Sequence, residues 1–141
     1  MKRVREQEKL ISEMKFVHPV LFRTGPYEPD EFFRIAKGLE KVPEGGERCF
    51  KCFDLRLREA AKVASAGRYD YFTTTLTISP LKNADKLNEI GEKQAKEYRV
   101  AFLPSDFKKK DGYKRSVQLS EEYGLYRQDY CGCIYSREAG K

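Results

Sequence analysis

Two short runs rich in aromatic and β-branched residues, "YDYFTTTLT" and "VAFLP", stand on either side of "SPLKNADKLNEIGEKQAKEY", whose apolar positions recur at helical spacing. Strand, helix, strand in that order is the pattern of an α/β protein with a mostly parallel sheet, because a helical crossover returns the chain to the same edge direction. The remaining segments extend it. "VREQEKLISEMKF" places Val4, Leu10, Ile11 and Met14 on one helical face. "PVLF" reads as a further strand, and Asp30 as the cap of a short helix through "EFFRIAKGLE". A longer helix is expected from Cys49 to Ala66, stopped by Gly67, with Phe50, Phe53, Leu57, Ala60, Ala61 and Ala64 as its buried stripe. Ser79 and Pro80 mark the start of the next helix, and "YKRSVQLSEEYG" gives another that ends at Gly124. Three strands make a thin sheet, and the chain opens on a helix, so the pattern is that of an α/β domain lacking a strand at its front. At 141 residues it is expected to be one domain, 1–141, with a cysteine-bearing tail from about 125 to 141.

Composition narrows the function classes. No stretch approaches the roughly 20 apolar residues of a membrane span. "MKRVREQEKL" leads into polar helix rather than the apolar core of a signal peptide. The reading is a cytoplasmic protein with no membrane partner. A net charge of +6 and an isoelectric point near 9.1 favour polyanionic partners such as nucleic acid. No GxGxxG or GxxxxGK[ST] occurs, which excludes the ordinary dinucleotide and P-loop readings.

All four cysteines fall in two clusters, Cys49 and Cys52 as "CFKC" and Cys131 and Cys133 as "CGC". In a reducing compartment such clustering points to metal or redox chemistry rather than to a disulfide framework. Cys49 and Cys52 lie one turn apart at an expected helix start, where free N–H groups and the helix dipole favour thiolate. Arg56, and Arg48 beside it, would add positive charge. The glycine of CGC lets both sulfurs turn toward one centre, whereas a disulfide inside that tripeptide would be strained. Spacing leaves three readings open: a structural zinc site, an iron–sulfur cluster, or a CxxC thiol–disulfide pair.

Tyr123, Tyr126, Tyr130 and Tyr135 crowd the same tail together with Arg127, Gln128 and Asp129. Aromatic faces beside arginine suit base stacking, although each tyrosine taken singly is explained by core packing. Asp129, two residues before Cys131, is a candidate metal ligand. Lys108, Lys109 and Lys110, with Lys114 and Arg115, could grip phosphates where a loop meets a helix. "TTTLTISP" ends a strand in hydroxyls and starts a helix, the position where α/β proteins bind ligands. The lone His18 has no catalytic partner in view and reads as structural.

The segments "ERCFKCFDLRLREAAKVA", "YFTTTLTISPLKN", "DFKKKDGYKRS" and "LYRQDYCGCIYS" resemble the signature segments of the QueH-type epoxyqueuosine reductases, and the likeness runs from the first helix to Ser136. The resemblance implies a three-layer α/β/α fold of the HUP (adenine nucleotide α-hydrolase) kind. It implies reduction of the epoxide of epoxyqueuosine to the cyclopentene of queuosine in a tRNA anticodon, with electrons from a donor protein or small reductant. It further implies a [4Fe–4S] cluster with further iron beside it, carried onto Cys49, Cys52, Cys131 and Cys133 and, more weakly, Asp129; zinc is the alternative. Tyr130 or Tyr126 becomes the candidate proton donor, and Lys108, Lys109, Lys110, Lys114, Arg115 and Arg127 the candidate RNA contacts. Family members usually begin with a strand and a CCxPC motif. Neither is seen here, so the expectation is an N-terminally truncated fold, with three readings open: a truncated reading, a split gene product, or a member that takes that unit from a separate chain. The rival readings are a non-catalytic zinc-bound RNA-binding module and a thiol oxidoreductase acting through Cys49 and Cys52.

Overall fold

The computed structural model describes residues 2–26, 28–128 and 130–139. Helices α1 (Lys2–Glu13), α2 (Pro29–Ala36) and α3 (Glu47–Ala66) come first, then strand β1 (Tyr71–Phe72) and a single 3-10 turn (Leu76–Ile78). Helix α4 (Ala84–Tyr98), strand β2 (Ala101–Phe102), and helices α5 (Gly112–Glu122) and α6 (Ile134–Ala139) complete the order. The structure is mixed α/β and helix-rich, with a small parallel sheet in which Tyr71 pairs with Ala101 and Phe72 with Phe102. The chain divides into two compact units, one of Glu28–Tyr113 and one of Met1–Tyr27 with Lys114–Lys141.

The first of these units is built on the stripe read from the sequence. Phe53, Leu57, Ala61 and Ala64 recur along one face of α3 and pack with Leu87 and Ile90 of α4 and with Phe72, Val100 and Phe102 from the strands and their edges. Complete burial of an aliphatic side chain such as Leu57 or Leu87 contributes about 1.5–3 kcal/mol. The Phe72 and Phe102 rings meet with centroids 5.1 Å apart. Gly91 is what lets α4 come down onto them: a β-carbon there would lie 2.4 Å from atoms of the Phe102 ring. Helix α3 closes at Gly67, whose N–H reaches the Val63 carbonyl at 2.9 Å, and the left-handed residue that turns the chain away is Arg68, at φ 57°.

Three expectations about elements are corrected. The strand expected over 69–77 pairs only at Tyr71–Phe72: Thr73 still reaches across to the β2 side through its hydroxyl, and from Thr74 onward the chain turns on a local side-chain bond. Thr74 Oγ1 accepts the Leu76 N–H at 3.1 Å and Thr73 Oγ1 donates to the Leu103 carbonyl at 2.7 Å. The next helix starts not at Pro80 but at Ala84, where Asn83 Oδ1 accepts the Lys86 N–H at 3.0 Å and supplies a proper N-cap. "PVLF" is not a strand: among the described residues no strand lies beside it to share a ladder, and Leu21 stands 87% exposed. The described sheet therefore has two strands rather than three.

Candidate functional site

The first cysteine pair belongs to the unit with the core. Because α3 begins at Glu47, Cys49 and Cys52 occupy its first turns, one turn apart and half-buried. The loop before the helix is folded back against them, and Gly45 N–H donates to Cys49 Sγ at 3.3 Å. Arg48 holds that loop. It is 4% exposed, and its Nη1 donates to the carbonyls of Leu39 at 2.9 Å, of Glu40 at 3.2 Å, and of Val42. The charge expected to stand beside the thiols is thus spent on clamping three carbonyls of the preceding loop, while Arg56 remains exposed. The clamp leaves an electrostatic mark. Backbone N–H groups of Glu40 itself and of Gly38 hold the Glu40 carboxyl below the usual carboxylate range, with Arg48 adding to the effect. Phe50 and Phe53, flanking Cys52, carry Lys86 Nζ at 5.1 Å and Lys82 Nζ at 5.6 Å from their ring centroids.

The hydroxyl-rich strand end is closed on itself. Thr77 is fully buried; its Oγ1 lies 3.1 Å from Ser105 Oγ and accepts the Phe107 N–H at 3.0 Å. Asn88 clamps Ser105 from both sides, accepting its N–H at 3.1 Å and donating to its carbonyl at 2.9 Å. Lys108 turns inward to join them, donating to the Thr77 carbonyl at 3.1 Å and lying 3.0 Å from Asp106 Oδ1. Its neighbours Lys109 and Lys110, and farther on Lys114 and Arg115, are exposed. Of the basic cluster, Lys108 therefore has a structural partner set that sequence did not indicate.

The second pair belongs to the other unit. Cys131 and Cys133 are half-buried, with Gly132 between them at φ 102°, a backbone conformation that an L side chain rarely adopts. A β-carbon at Gly132 would also lie 3.0 Å from Arg3 Nη1. That guanidinium donates to the Cys131 carbonyl at 3.2 Å, and Gln128 Nε2 donates to the Tyr130 carbonyl at 2.7 Å, so two successive carbonyls before Gly132 are held. The Cys133 carbonyl accepts the Arg137 N–H at 3.1 Å and opens α6. Beside the loop lies a cavity of about 290 Å³ lined by Arg3, Glu6 and Leu10 of α1 and by Tyr126, Arg127 and Tyr130, among others. Glu6 Oε2 accepts the Tyr126 N–H at 2.9 Å, and Lys2 Nζ stands 3.5 Å from the Tyr126 ring centroid. Asp129 lies outside the described residues.

The structure thus brings Cys49 together with Cys52, and Cys131 together with Cys133, Tyr130, Tyr126 and Arg127. Among the described residues, no group of three or more His, Cys, Asp or Glu side chains is placed to hold a metal ion. The contribution of α1 was not read from the sequence. Its apolar face announced a helix, but nothing in "KRVREQ" distinguishes Arg3 and Glu6 from ordinary solvated charges. Among the described residues no helix is long and apolar enough to cross a membrane.

With the two thiol pairs placed, comparison with known proteins decides the family. The model of the family described as epoxyqueuosine reductase QueH matches residues 1–139. The chain belongs to the QueH family. The QueH of Streptococcus pyogenes serotype M1 is 47% identical over 131 residues, covering 92% of this chain and 51% of that protein. The QueH of Staphylococcus epidermidis is 42% identical over 140 residues, 96% of this chain and 59% of its own length. That of Staphylococcus aureus is 41% identical over 140 residues, 96% and 58%. The chain therefore spans between half and three fifths of the length of these QueH relatives, and both cysteine pairs fall within the matched region.

Proposed function

We propose that this chain carries the thiol-bearing part of a cytoplasmic epoxyqueuosine reductase, acting on tRNA in the last step of queuosine formation. The observation that carries the reading is the QueH match along residues 1–139, which takes in both thiol pairs. The reaction opens the epoxide and releases its oxygen as water, consuming two electrons and two protons and leaving a carbon–carbon double bond. The electrons come from a reductant, protein or small molecule, that this chain does not contain.

The residues would hold an iron–sulfur cluster through Cys49, Cys52, Cys131 and Cys133. The donor set fits: four thiols in two compact pairs, one on the first turns of α3 with a backbone N–H already directed at Cys49 Sγ, the other on a loop whose glycine frees both flanking side chains. Soft thiolates select iron–sulfur clusters or zinc over oxygen-seeking metals. When bound, the cluster, with further iron beside it, supplies single electrons and a Lewis acid for the epoxide oxygen. The chain's own part is to position and protonate. Tyr130, adjacent to Cys131, is the proposed proton donor, with Tyr126 behind it and Asp129 as a weaker ligand. Lys109, Lys110, Lys114, Arg115 and Arg127 are exposed cations suited to phosphate contact, and Lys108 would contribute through its neighbours. The two-stranded parallel sheet with α3 and α4 against it supports a HUP-like three-layer architecture for this reading.

Anaerobic purification with assay of iron, zinc and acid-labile sulfide tests it, followed by turnover of epoxyqueuosine-containing tRNA with a chemical reductant. About four irons and four sulfides per chain are expected, with absorption near 400 nm. Loss of cluster on replacing a cysteine of either pair with serine would show one shared site. One zinc without sulfide would replace the reductase by a zinc-stabilised RNA-binding module. Redox activity that survives Cys131→Ser and Cys133→Ser would assign the chain to the thiol oxidoreductases.

A further inference from the structure

The thiol pair at the start of α3 is a place for negative charge, yet the arginines beside it supply no shielded counter-charge: Arg48 is committed to the loop carbonyls and Arg56 is exposed. The turn before α4 brings a different cation. Lys82 is fixed there by its own N–H, which donates to the Ser79 carbonyl at 3.2 Å, and by Asn83, which caps α4 directly after it. Its side chain is 9% exposed, and lysine is rarely so covered unless paired. The ammonium is bracketed by two groups that both border Cys49. On one side is the Phe53 ring, whose centroid is 5.6 Å away and which lies one helical turn beyond Cys49. On the other is Glu44, next in the chain to the Gly45 N–H that meets Cys49 Sγ. Glu44 Oε1 stands 3.8 Å from the ammonium, beyond hydrogen-bond distance, and its side chain is 33% exposed. Lys82 is therefore a shielded cation with a loose, partly solvated counter-charge.

We propose that Lys82 is the charge partner of Cys49 and Cys52, a positioning residue that acts through the thiols by holding a positive field at them. A cation in low-dielectric surroundings acts on a neighbouring charge several times more strongly than the same cation in water, and salt screens it less. The field favours the more negative state of any group those sulfurs ligate, so it eases the arrival of an electron there. Lys86 adds to it from a more open position. Its ammonium lies 5.1 Å from the Phe50 ring centroid, and its side chain is 33% exposed and paired with Glu89 at 3.3 Å. The consequence for reduction rests on the ligand role proposed above for the two cysteines; the field itself does not.

The field is measured on the metal-free full chain by alkylation with iodoacetate and with iodoacetamide, the four cysteines being resolved by peptide mass spectrometry. Both reagents attack the same thiolate, so the ratio of their rates cancels its abundance and reports how strongly the site attracts an anion. Lys82→Met keeps an apolar stem against Phe53 and should lower that ratio at Cys49 and Cys52 by about threefold or more, with Cys131 and Cys133 unchanged. Lys82→Arg should restore most of it. Glu44→Gln, which removes the opposing carboxylate and leaves the lysine in place, should raise it. In about 1 M salt, where screening acts over about 3 Å, the Lys82→Met effect should persist while that of Arg56→Met fades. After anaerobic loading with iron and sulfide, the ratio of reduced to oxidised centre in a buffer of fixed potential should fall about tenfold in Lys82→Met. Either ratio unaltered by Lys82→Met, or by Glu44→Gln where the lysine variant does not fold, overturns the proposal. So does a fall that Lys82→Arg does not rescue, or one that salt erases. The two readings fail separately. A lowered alkylation ratio in a chain that takes up no iron–sulfur centre keeps the lysine and removes the cluster, whereas a loaded chain that turns over tRNA with an unaltered ratio does the reverse.

Discussion

Residues 28–113 and residues 2–26 with 114–139 each carry half of the cysteines, and they hold them by different physics. In the first, the CxxC pair rides on a helix sealed into an apolar core of Phe53, Leu57, Leu87 and Phe102, against which Cys49 itself packs. In the second, no described residue is fully buried, and the CGC loop is held by polar contacts to its backbone, chiefly from Arg3 and Gln128. A site fixed by a core opens only when the core opens. A site fixed by a few exposed hydrogen bonds opens at far lower cost. The two thiol pairs therefore differ in preorganisation, the CGC pair being the less firmly held.

The most direct way to break this comparison is to truncate one apolar side chain in each unit. Leu57→Ala removes a side chain that is 2% exposed and should lower unfolding stability by about 2–5 kcal/mol. Leu10→Ala, at a half-buried position of α1, should cost under about 1 kcal/mol. Urea unfolding followed by far-ultraviolet circular dichroism measures both, and equal losses would show that the second unit owns a core after all. Somewhat smaller is the effect of Arg48→Met, which keeps volume but removes the donor shared by the Leu39, Glu40 and Val42 carbonyls. It should cost about 2–3 kcal/mol. Arg48→Lys should restore only part of that, since an ammonium cannot reproduce the planar fork. Full rescue by lysine would mean that charge rather than geometry holds the loop.

The same contrast explains which parts of the molecule were legible in the sequence. The α3 stripe was readable because burial imposes a helical period on residue type, and the CxxC was readable because its spacing equals one helical turn. The strand over 69–77 is shorter than its composition suggests because threonine favours extended backbone yet also bonds to nearby backbone groups; here the second property wins from Thr74 onward. "PVLF" has strand composition, but a strand needs a neighbour, and pairing is a tertiary fact. Arg48 was expected to serve the thiols, because sequence shows a charge beside a cysteine and not the three carbonyls it meets. Arg3 and Glu6 were illegible for a related reason: more than 110 positions separate them from the groups they bond, and no local pattern carries such a pairing.

A smaller effect sharpens the account of the CGC loop. Arg3→Ala removes its bond to the Cys131 carbonyl and should raise the amide exchange rate of Gly132 and Cys133 severalfold, with a stability loss of about 0.5–1 kcal/mol or less. The Cys49 and Cys52 amides should be unaffected. Hydrogen exchange read residue by residue decides it, and unchanged protection at Gly132 would show that Gln128 alone fixes the loop.

The smallest expected effect lies at Glu40 and reports on the other clamp. Its carboxylate accepts the Gly38 N–H at 3.2 Å, and its own carbonyl accepts from Arg48. Backbone N–H groups of Glu40 and Gly38 stabilise the charged form, so the folded-state pKa lies below the ordinary value of 4.5. For a carboxyl depressed by folding, the contribution to stability is fully present above the unfolded value and is lost as pH falls through the folded one. Loosening of the 38–46 loop is therefore expected below pH 4.5 and not near neutrality. The side chain is exposed, so the change belongs to the loop rather than to global unfolding. Carboxyl carbon NMR titration of the wild type should show Glu40 titrating below an ordinary glutamate. The same titration in Arg48→Met should move it back toward the ordinary value, because the loop that presents the Gly38 N–H is no longer held. If Glu40 stays depressed when Arg48 is gone, the loop before Cys49 is shaped by its own turn, and the clamp is needed only for the stability of α3.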